Sequence, residues 1–278
     1  MIAYFLLVHR YPKQFKRLFK AIYHPDNFYV VHTDKRADQS LRTEIGAFLA
    51  SFPNAQLIES KNALWGGYSL VDAQLRGIAA LLAMSPRWQF FINLSGQDFP
   101  LKSQRQIRTF LTKHAGTDFM KVIDQQKVRP GTVGRFQNYY LEFAQRIVQL
   151  PFTRKFLRRA TPYIGNQWMI LTRSFCEFLA TSPEVTRFKR FYRHTFIADE
   201  SFFQTVIMNT SYQSQLVNDD LRAIDWVPDG TIKLRPRTFT LQDATYLRSS
   251  HNLFARKFDE SVDGKILDLL EADLAHHA

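Results

Sequence analysis

Apolar residues follow two rhythms along this chain. In IAYFLLVH (2–9), NFYVVHTD (27–34) and WQFFINLSG (88–96) they run almost without interruption, as in strands buried on both faces. Between these runs the spacing changes. In PKQFKRLFKAIY (12–23), Phe15, Leu18, Phe19 and Ile22 fall on one face of a helix. QSLRTEIGAFLASF (39–52) and SLVDAQLRGIAALLAM (69–84) also read as helices, and AQLIES (55–60) as a short strand. Ser69 with Asp72 three residues on is close to a capping box, which makes Ser69 the expected N-cap. Strands alternating with helices predict an α/β fold, with a Rossmann-type, mostly parallel central sheet flanked by helices.

The second half is less regular. A helix is expected near 104–113, followed by glycine-, arginine- and aromatic-rich sequence to about 160. NQWMILTRSFCEFLATS (166–182) reads as strand then helix. IADESFFQTVIMNT (197–210) reads as a helix opening on two acids. PDGTIKLRPRTFT (228–240) is hairpin or loop, and GKILDLLEADLAHH (264–277) a last helix. No repeat, low-complexity tract or linker interrupts the chain, so residues 1–278 are expected to form a single domain.

Composition sharpens this picture. One cysteine, Cys176, leaves no disulfide framework and no cysteine-based zinc site, and its place in an apolar helix makes it core. A reduced, cytoplasmic setting fits. The opening MIAYFLLVHR lacks a basic segment and a small-residue cleavage site, so it reads as a first strand, not a signal peptide. No apolar run approaches the roughly 18 residues of a membrane helix. The formal net charge of +12 favours anionic partners. From 129 to 159, Arg129, Arg135, Arg146, Arg154, Lys155, Arg158 and Arg159 stand against a single acid, Glu142.

In parallel sheets ligands gather at the carboxyl ends of the strands. Those ends carry His9, then His32 and Asp34, then Ser95, Gln97 and Asp98. Asp34 could accept hydrogen bonds from a ribose or a base, or cap the next segment. In LWGGYSL, Gly66 and Gly67 precede a helix start, where backbone can approach a ligand closely. In FFINLSGQDFPLKS, Asp98 could reach substrate hydroxyls or cap the helix near 103. Asp199 and Glu200 either complement a helix dipole or supply a general base. Arg235, Arg237, Arg256 and Lys257 could clamp a diphosphate. No D-x-D triplet and no H-x-x-x-H spacing occurs, so no metal is expected.

Taken in order, AYFLLVH, RLFKAIYHPDNFYVVHTDKR, WGGYSLVDAQL, FFINLSGQDFPLKS, GNQWMILTRSF, ADESFFQTV and LFARKFD resemble the core-2/I-branching β-1,6-N-acetylglucosaminyltransferase family, which includes the peptide O-xylosyltransferases. The animal members' anchor, stem and disulfide cysteines are missing, which suggests a bacterial, cytoplasmic member. The resemblance implies a GT-A-like domain, with 1–103 binding the nucleotide-sugar and 104–278 holding the acceptor and catalytic parts. It implies a UDP-sugar donor, inversion at the anomeric carbon, and neither metal nor other cofactor. Carried over by position, Glu200 is the base. Lys257 holds the diphosphate with Arg237, or with Arg235. Asp34 contacts the nucleoside, with His9, Trp65, Gly66 and Gly67 on the donor side. Trp226 lines the acceptor pocket, with Asp98, Gln97 and Asp199 on the sugar and acceptor side.

The expected sugar is GlcNAc, with UDP-xylose as the alternative donor. The expected acceptor is a glycan or glycolipid of bacterial surface polysaccharide or lipooligosaccharide. Such acceptors are assembled at the inner face of the cytoplasmic membrane. RKFLRRA, with Phe152 and Phe156, is expected to rest there on anionic lipid. A non-catalytic sugar-binding relative is a rival reading, supported by tight UDP binding without transfer. A nucleic-acid-binding protein is another, but no helix-turn-helix, RRM or zinc-finger signature appears, and nucleic acid is not an expected partner.

Overall fold

The computed structural model describes residues 1–143, 145–229 and 233–276. Its first hundred residues alternate as the pattern requires: β1 (Ile2–Val8), α1 (Pro12–Ile22), β2 (Phe28–Thr33), α2 (Gln39–Leu49), β3 (Ala55–Leu57), α3 (Ser69–Met84) and β4 (Phe90–Ser95). These strands pair in parallel in the order β3-β2-β1-β4, with Leu6 of β1 opposite both Val31 and Leu94. Side chains alternate between two apolar layers. Tyr4, Leu6 and Val8 face the layer built with α1 and α2, and Ala3 and Phe5 face the layer built with α3. Burial on both sides is why these strands read as continuous apolar runs.

Beyond β4 come β5 (Asp98–Pro100), α4 (Gln104–Lys113) and β6 (Asp118–Met120). The strand Met169–Thr172 runs antiparallel to both β4 and β6, and Leu216–Val217 adds a parallel edge beside β6. The sheet is thus mostly parallel with one antiparallel strand. A smaller sheet joins Arg222–Ile224, Phe254–Arg256 and β5. It brings the C-terminal region back against the end of β4, so the site draws on both ends of the sequence.

Several local expectations change. Ser69 is the first residue of α3, not its N-cap, and its Oγ accepts from Leu64 N at 2.8 Å. Ser103 caps α4 through a capping box with Gln106, which removes the capping role offered to Asp98. Asp199 and Glu200 lie in a 3-10 turn, Ala198–Glu200, ahead of the helix Phe202–Met208. The irregular stretch contains an antiparallel hairpin, Asn138–Phe143 with Arg146–Thr153. The helix Pro183–Tyr192, unread in the sequence, carries ordinary start signals: Ser182 accepts from Glu184 N, and Pro183 opens the first turn.

Candidate active site

Strand order fixes where a ligand belongs. From β1 the chain moves outward to β2 and β3, then crosses to β4 on the other side of β1. The crevice outside the carboxyl ends of β1 and β4 is therefore the topological switch point. Asp34 N donates to Val8 O on one side of it, at 3.1 Å, and Gly96 N to Leu7 O on the other, at 3.0 Å. His9 and Arg10 leave β1 between them.

Cations collect here. Arg10 Nη2 donates to Gln97 Oε1 at 2.9 Å. Gln97 in turn accepts from Phe258 N at its backbone carbonyl and donates from its side-chain amide to Phe258 O, which pins Lys257 beside the end of β1. Arg256 ion-pairs with the fully buried Asp98 at 3.0 Å, and its guanidinium lies 4.1 Å from the ring centre of Trp168. Lys257 has no ion pair among the described residues. Partial burial holds its amine below the ordinary value, and the charges of Arg10 and Arg256 push it lower. His9 is depressed by desolvation first, then by Arg10, with Lys257 and Arg256 adding to the effect. The nearby Asp259 is engaged by the Tyr11 hydroxyl and by Ser261. Such a set of crowded like charges is a site for an anion.

The second half of the site is the turn carrying Glu200. Ile197 adopts a left-handed backbone, φ 51°, and donates its N–H to Gly66 O at 2.7 Å. Gly165 N donates to Glu200 O at 2.8 Å. A Cβ at Gly165 would meet Lys121 O at 1.9 Å, so only glycine allows this approach. Arg135 Nη1 donates to Glu200 Oε2 at 2.8 Å, with both side chains partly exposed. Asp199 beside them is buried, and its Oδ1 has no hydrogen-bond partner among the described residues. Burial, then the Glu200 charge, pushes its carboxyl up to about 7.

One short segment joins the two halves. Gly165 holds Glu200, and Trp168, three residues on, carries Arg256 over its ring. Three extended residues span about 10 Å between Cα atoms, which bounds the separation of the Gly165 and Trp168 backbone positions.

Other expected site residues are placed differently. Asp98 is not on the site wall: its oxygens are taken by Ser95 N, Ser95 Oγ and Arg256. Gln97 is a buried latch. Arg237 is already committed to Asp225 and Asp243, at 2.7 and 2.8 Å. Hydrogen bonds to Asp243 first, then Asp225, raise its pKa, so its charge is compensated. Arg235 is exposed and only loosely paired with Asp229, at 3.8 Å. Gly66 and Gly67 admit the chain itself, not a ligand. A Cβ would come within 2.6 Å of Phe196 at Gly66, where φ is +80°, and within 2.4 Å of Glu142 at Gly67. Trp65 stays exposed, edge-on to Phe196. Trp226, also exposed, opens a hairpin following the strand paired with Phe254–Arg256.

Asp34 is nearly buried and forked by Arg36, whose Nη2 lies 2.6 Å from Oδ2. Burial alone would raise its pKa, but the Arg36 hydrogen bonds and charge leave it below the ordinary value. A cleft of about 630 Å³ opens alongside, lined by Lys35, Lys61, Asp72 and Glu142 among others. His32 is core, pushed down to about 4 chiefly by burial. Cys176 is core as expected, its thiol raised by burial. In the basic segment, Arg154 and Phe156 turn inward. Arg154 donates to the carbonyls of Phe136, Phe191 and His194, and Phe156 packs on Phe136 and Phe191.

Sequence reasoning missed Arg10 and Arg135 as site residues, and it did not select Arg256 as the partner of Lys257. Arg10 had a signal, being the basic residue directly after the first strand. Arg135 had none, because 65 residues separate it from Glu200.

Among the described residues, no three His, Cys, Asp or Glu side chains form a metal-binding group, and no helix is long and apolar enough to cross a membrane. The family model described as Core-2/I-Branching enzyme matches residues 2–248. A xylosyltransferase of Ciona intestinalis is 32% identical over 98% of this chain and 34% of its own length. Xylosyltransferase 2 of Homo sapiens is 32% identical over 98% of this chain and 33% of its own. The chain thus spans about a third of the curated relatives it matches. Solved structures are more remote. The galactosyltransferase LgtC, in complex with donor and acceptor sugar analogs, aligns over 98% of this chain and 96% of its own at 10% identity, TM-score 0.47. Mouse xyloside xylosyltransferase 1 aligns over 92% and 97% at 11% identity, TM-score 0.41.

Proposed function

The chain belongs to the Core-2/I-Branching enzyme family, and we propose on that premise that it transfers one sugar from a UDP-sugar to a hydroxyl of a glycan or glycolipid. The observation that carries this reading is the Gly165–Trp168 segment, which bonds the Glu200 backbone carbonyl at one end and packs under the Arg256 guanidinium at the other. Transfer needs a base on the acceptor side and positive charge on the leaving-group side. Glu200 removes the proton of the acceptor hydroxyl. That oxygen bonds the anomeric carbon from the face opposite the diphosphate. The bond from that carbon to the phosphate oxygen breaks, and its electron pair leaves with UDP. A single opposite-face attack inverts the anomeric centre.

Arg135 Nη1 donates to Glu200 Oε2 and fixes the direction of the carboxylate. Lys257, Arg10 and Arg256 receive the diphosphate, replacing the pairing of Lys257 with Arg237 or Arg235. Fixed cations can stabilise the departing UDP without a metal, and the absence of a D-x-D triplet supports that reading. The curated relatives named above are xylosyltransferases, which moves xylose ahead of GlcNAc as the donor sugar to test. Peripheral contact with an anionic membrane rests in this reading on Phe143 and Phe152, 74% and 55% exposed on the hairpin, with Lys155, Arg158 and Arg159 nearby.

The test is UDP release from a UDP-sugar panel that includes UDP-xylose and UDP-GlcNAc, with EDTA present. Glu200→Gln is expected to lower turnover by at least about 100-fold. Wild-type turnover in that variant removes Glu200 from the base role. Strict dependence on added Mn²⁺ ends the metal-free reading.

A further inference from the structure

A second cleft, of about 1360 Å³, lies between α1, α4 and the C-terminal helix Lys265–His276. It has no part in the transfer reading. Its walls are cationic. Along α1, Lys13, Lys16, Arg17 and Lys20 recur at i, i+3, i+4 and i+7 and form one stripe. α4 adds Arg105, Arg108 and Lys113, and the lining also includes Ala21, Leu274 and Ala275. Three of these cations are compensated. Lys16 pairs with Glu44, Arg17 with Asp268 and Glu271, and Arg108 with Asp26. Lys13, Lys20, Arg105 and Lys113 are exposed and enter no ion pair or side-chain hydrogen bond among the described residues.

Two of the four are misplaced for helix stability. Lys13 and Arg105 are each the second residue of their helix, in first turns that contain no acid. The positive end of the helix dipole disfavours a cation there. Both unfavourable charges face the same cleft, and helix formation gives no reason for either.

We infer that this cleft binds an acidic oligosaccharide, with its carboxylate or sulfate groups on Lys13, Lys20, Arg105 and Lys113. The C–H faces of its sugar rings would rest on Ala21, Leu274 and Ala275. The concavity favours a chain lying within the walls over a flat lipid surface. Nucleic acid is disfavoured because the lining offers no free aromatic face for base stacking. Of the two rings in the lining, Tyr23 already packs against Phe19, Tyr29 and Phe52, and His24 is engaged at its ring nitrogens by Arg108. The inference does not depend on the transfer reading and survives its failure.

The experiment titrates the full chain with a short oligogalacturonate, with neutral dextran and single-stranded DNA as comparisons, and adds flotation with phosphatidylglycerol vesicles. The Lys13→Gln/Lys20→Gln/Arg105→Gln/Lys113→Gln variant should bind the oligogalacturonate about 10- to 100-fold more weakly, at a few tenths to 1 kcal/mol per exposed contact. An equal change of net charge elsewhere, Arg146→Gln/Lys155→Gln/Arg158→Gln/Arg159→Gln, should leave it within about twofold of wild type, by the same scale. Retention by the cleft variant, or equal loss in both, overturns the inference. So does a cleft variant that loses vesicles or DNA while keeping the oligosaccharide. The double variant Lys13→Gln/Arg105→Gln should weaken binding while raising the melting temperature. If the fourfold variant does not fold, this pair and Lys20→Gln/Lys113→Gln give the same reading separately, and retention by both overturns the inference.

Discussion

Replacing Asp98 by Asn tests the physical account of the site most directly. Asp98 is fully buried, accepts from Ser95 N at 2.7 Å and ion-pairs with Arg256 at 3.0 Å. The amide oxygen of Asn can keep the Ser95 bond, so the substitution removes mainly the charge. At 3.0 Å and an effective dielectric near 20, the lost attraction is about 5 kcal/mol before any relaxation. Arg256 keeps some exposure, at 12%, and regains part of that loss by hydration. Breaking one partner of a buried pair costs about 3–5 kcal/mol, so about 2–4 kcal/mol is expected for Asp98→Asn. Asp98→Ala adds about 1–3 kcal/mol for the stranded Ser95 N–H. The assay is urea unfolding followed by tryptophan fluorescence, on wild type, Asp98→Asn, Arg256→Met and the double variant. A coupling energy of about 2 kcal/mol or more between the two sites is expected. If Asp98→Asn keeps wild-type stability and coupling yet loses UDP-sugar turnover more than 100-fold, Asp98 touches substrate and the structural role given to it here is wrong.

Two further outcomes follow from single features. Asp199 has its carboxyl held near 7, above its unfolded value, so the folded state retains a proton that the unfolded state releases. Stability therefore falls as pH rises from about 4 to about 7, and Asp199→Asn should gain on wild type across that window. Parallel melting curves at both ends would refute this. On the hairpin, Phe143→Ser/Phe152→Ser should reduce co-flotation with anionic vesicles and leave the melting temperature within a few degrees of wild type, because both rings are largely exposed. Undiminished flotation removes the hairpin from membrane contact.

The sequence by itself settled what depends on short-range pattern. Continuous apolar runs gave β1, β2 and β4, and helical spacing gave α1 to α4, because burial on one or two faces leaves a period that needs no partner to be read. It also settled that polar groups collect at the strand ends, and that Glu200 and Lys257 merit attention. The hairpin was not legible: its strands are half exposed, and its turn has none of the Asn-Gly or Gly-Gly signals that mark a tight reversal. Roles among like residues were not legible either. Arg237 and Arg256 look alike in sequence, yet one is held by two acids, Asp225 and Asp243, and the other by a single buried acid, Asp98. Asp98 and Glu200 are both carboxylates at element ends, but one is sealed under Arg256 and the other is partly exposed beside Arg135. Gly67 read as a point of close ligand approach and Gly165 carried no reading, until the backbone and side chains pressed against them were in place. These distinctions rest on which side chain comes within about 3 Å of which, between residues as far apart in the chain as Asp98 and Arg256. No local pattern encodes that, so only the packed fold decided it.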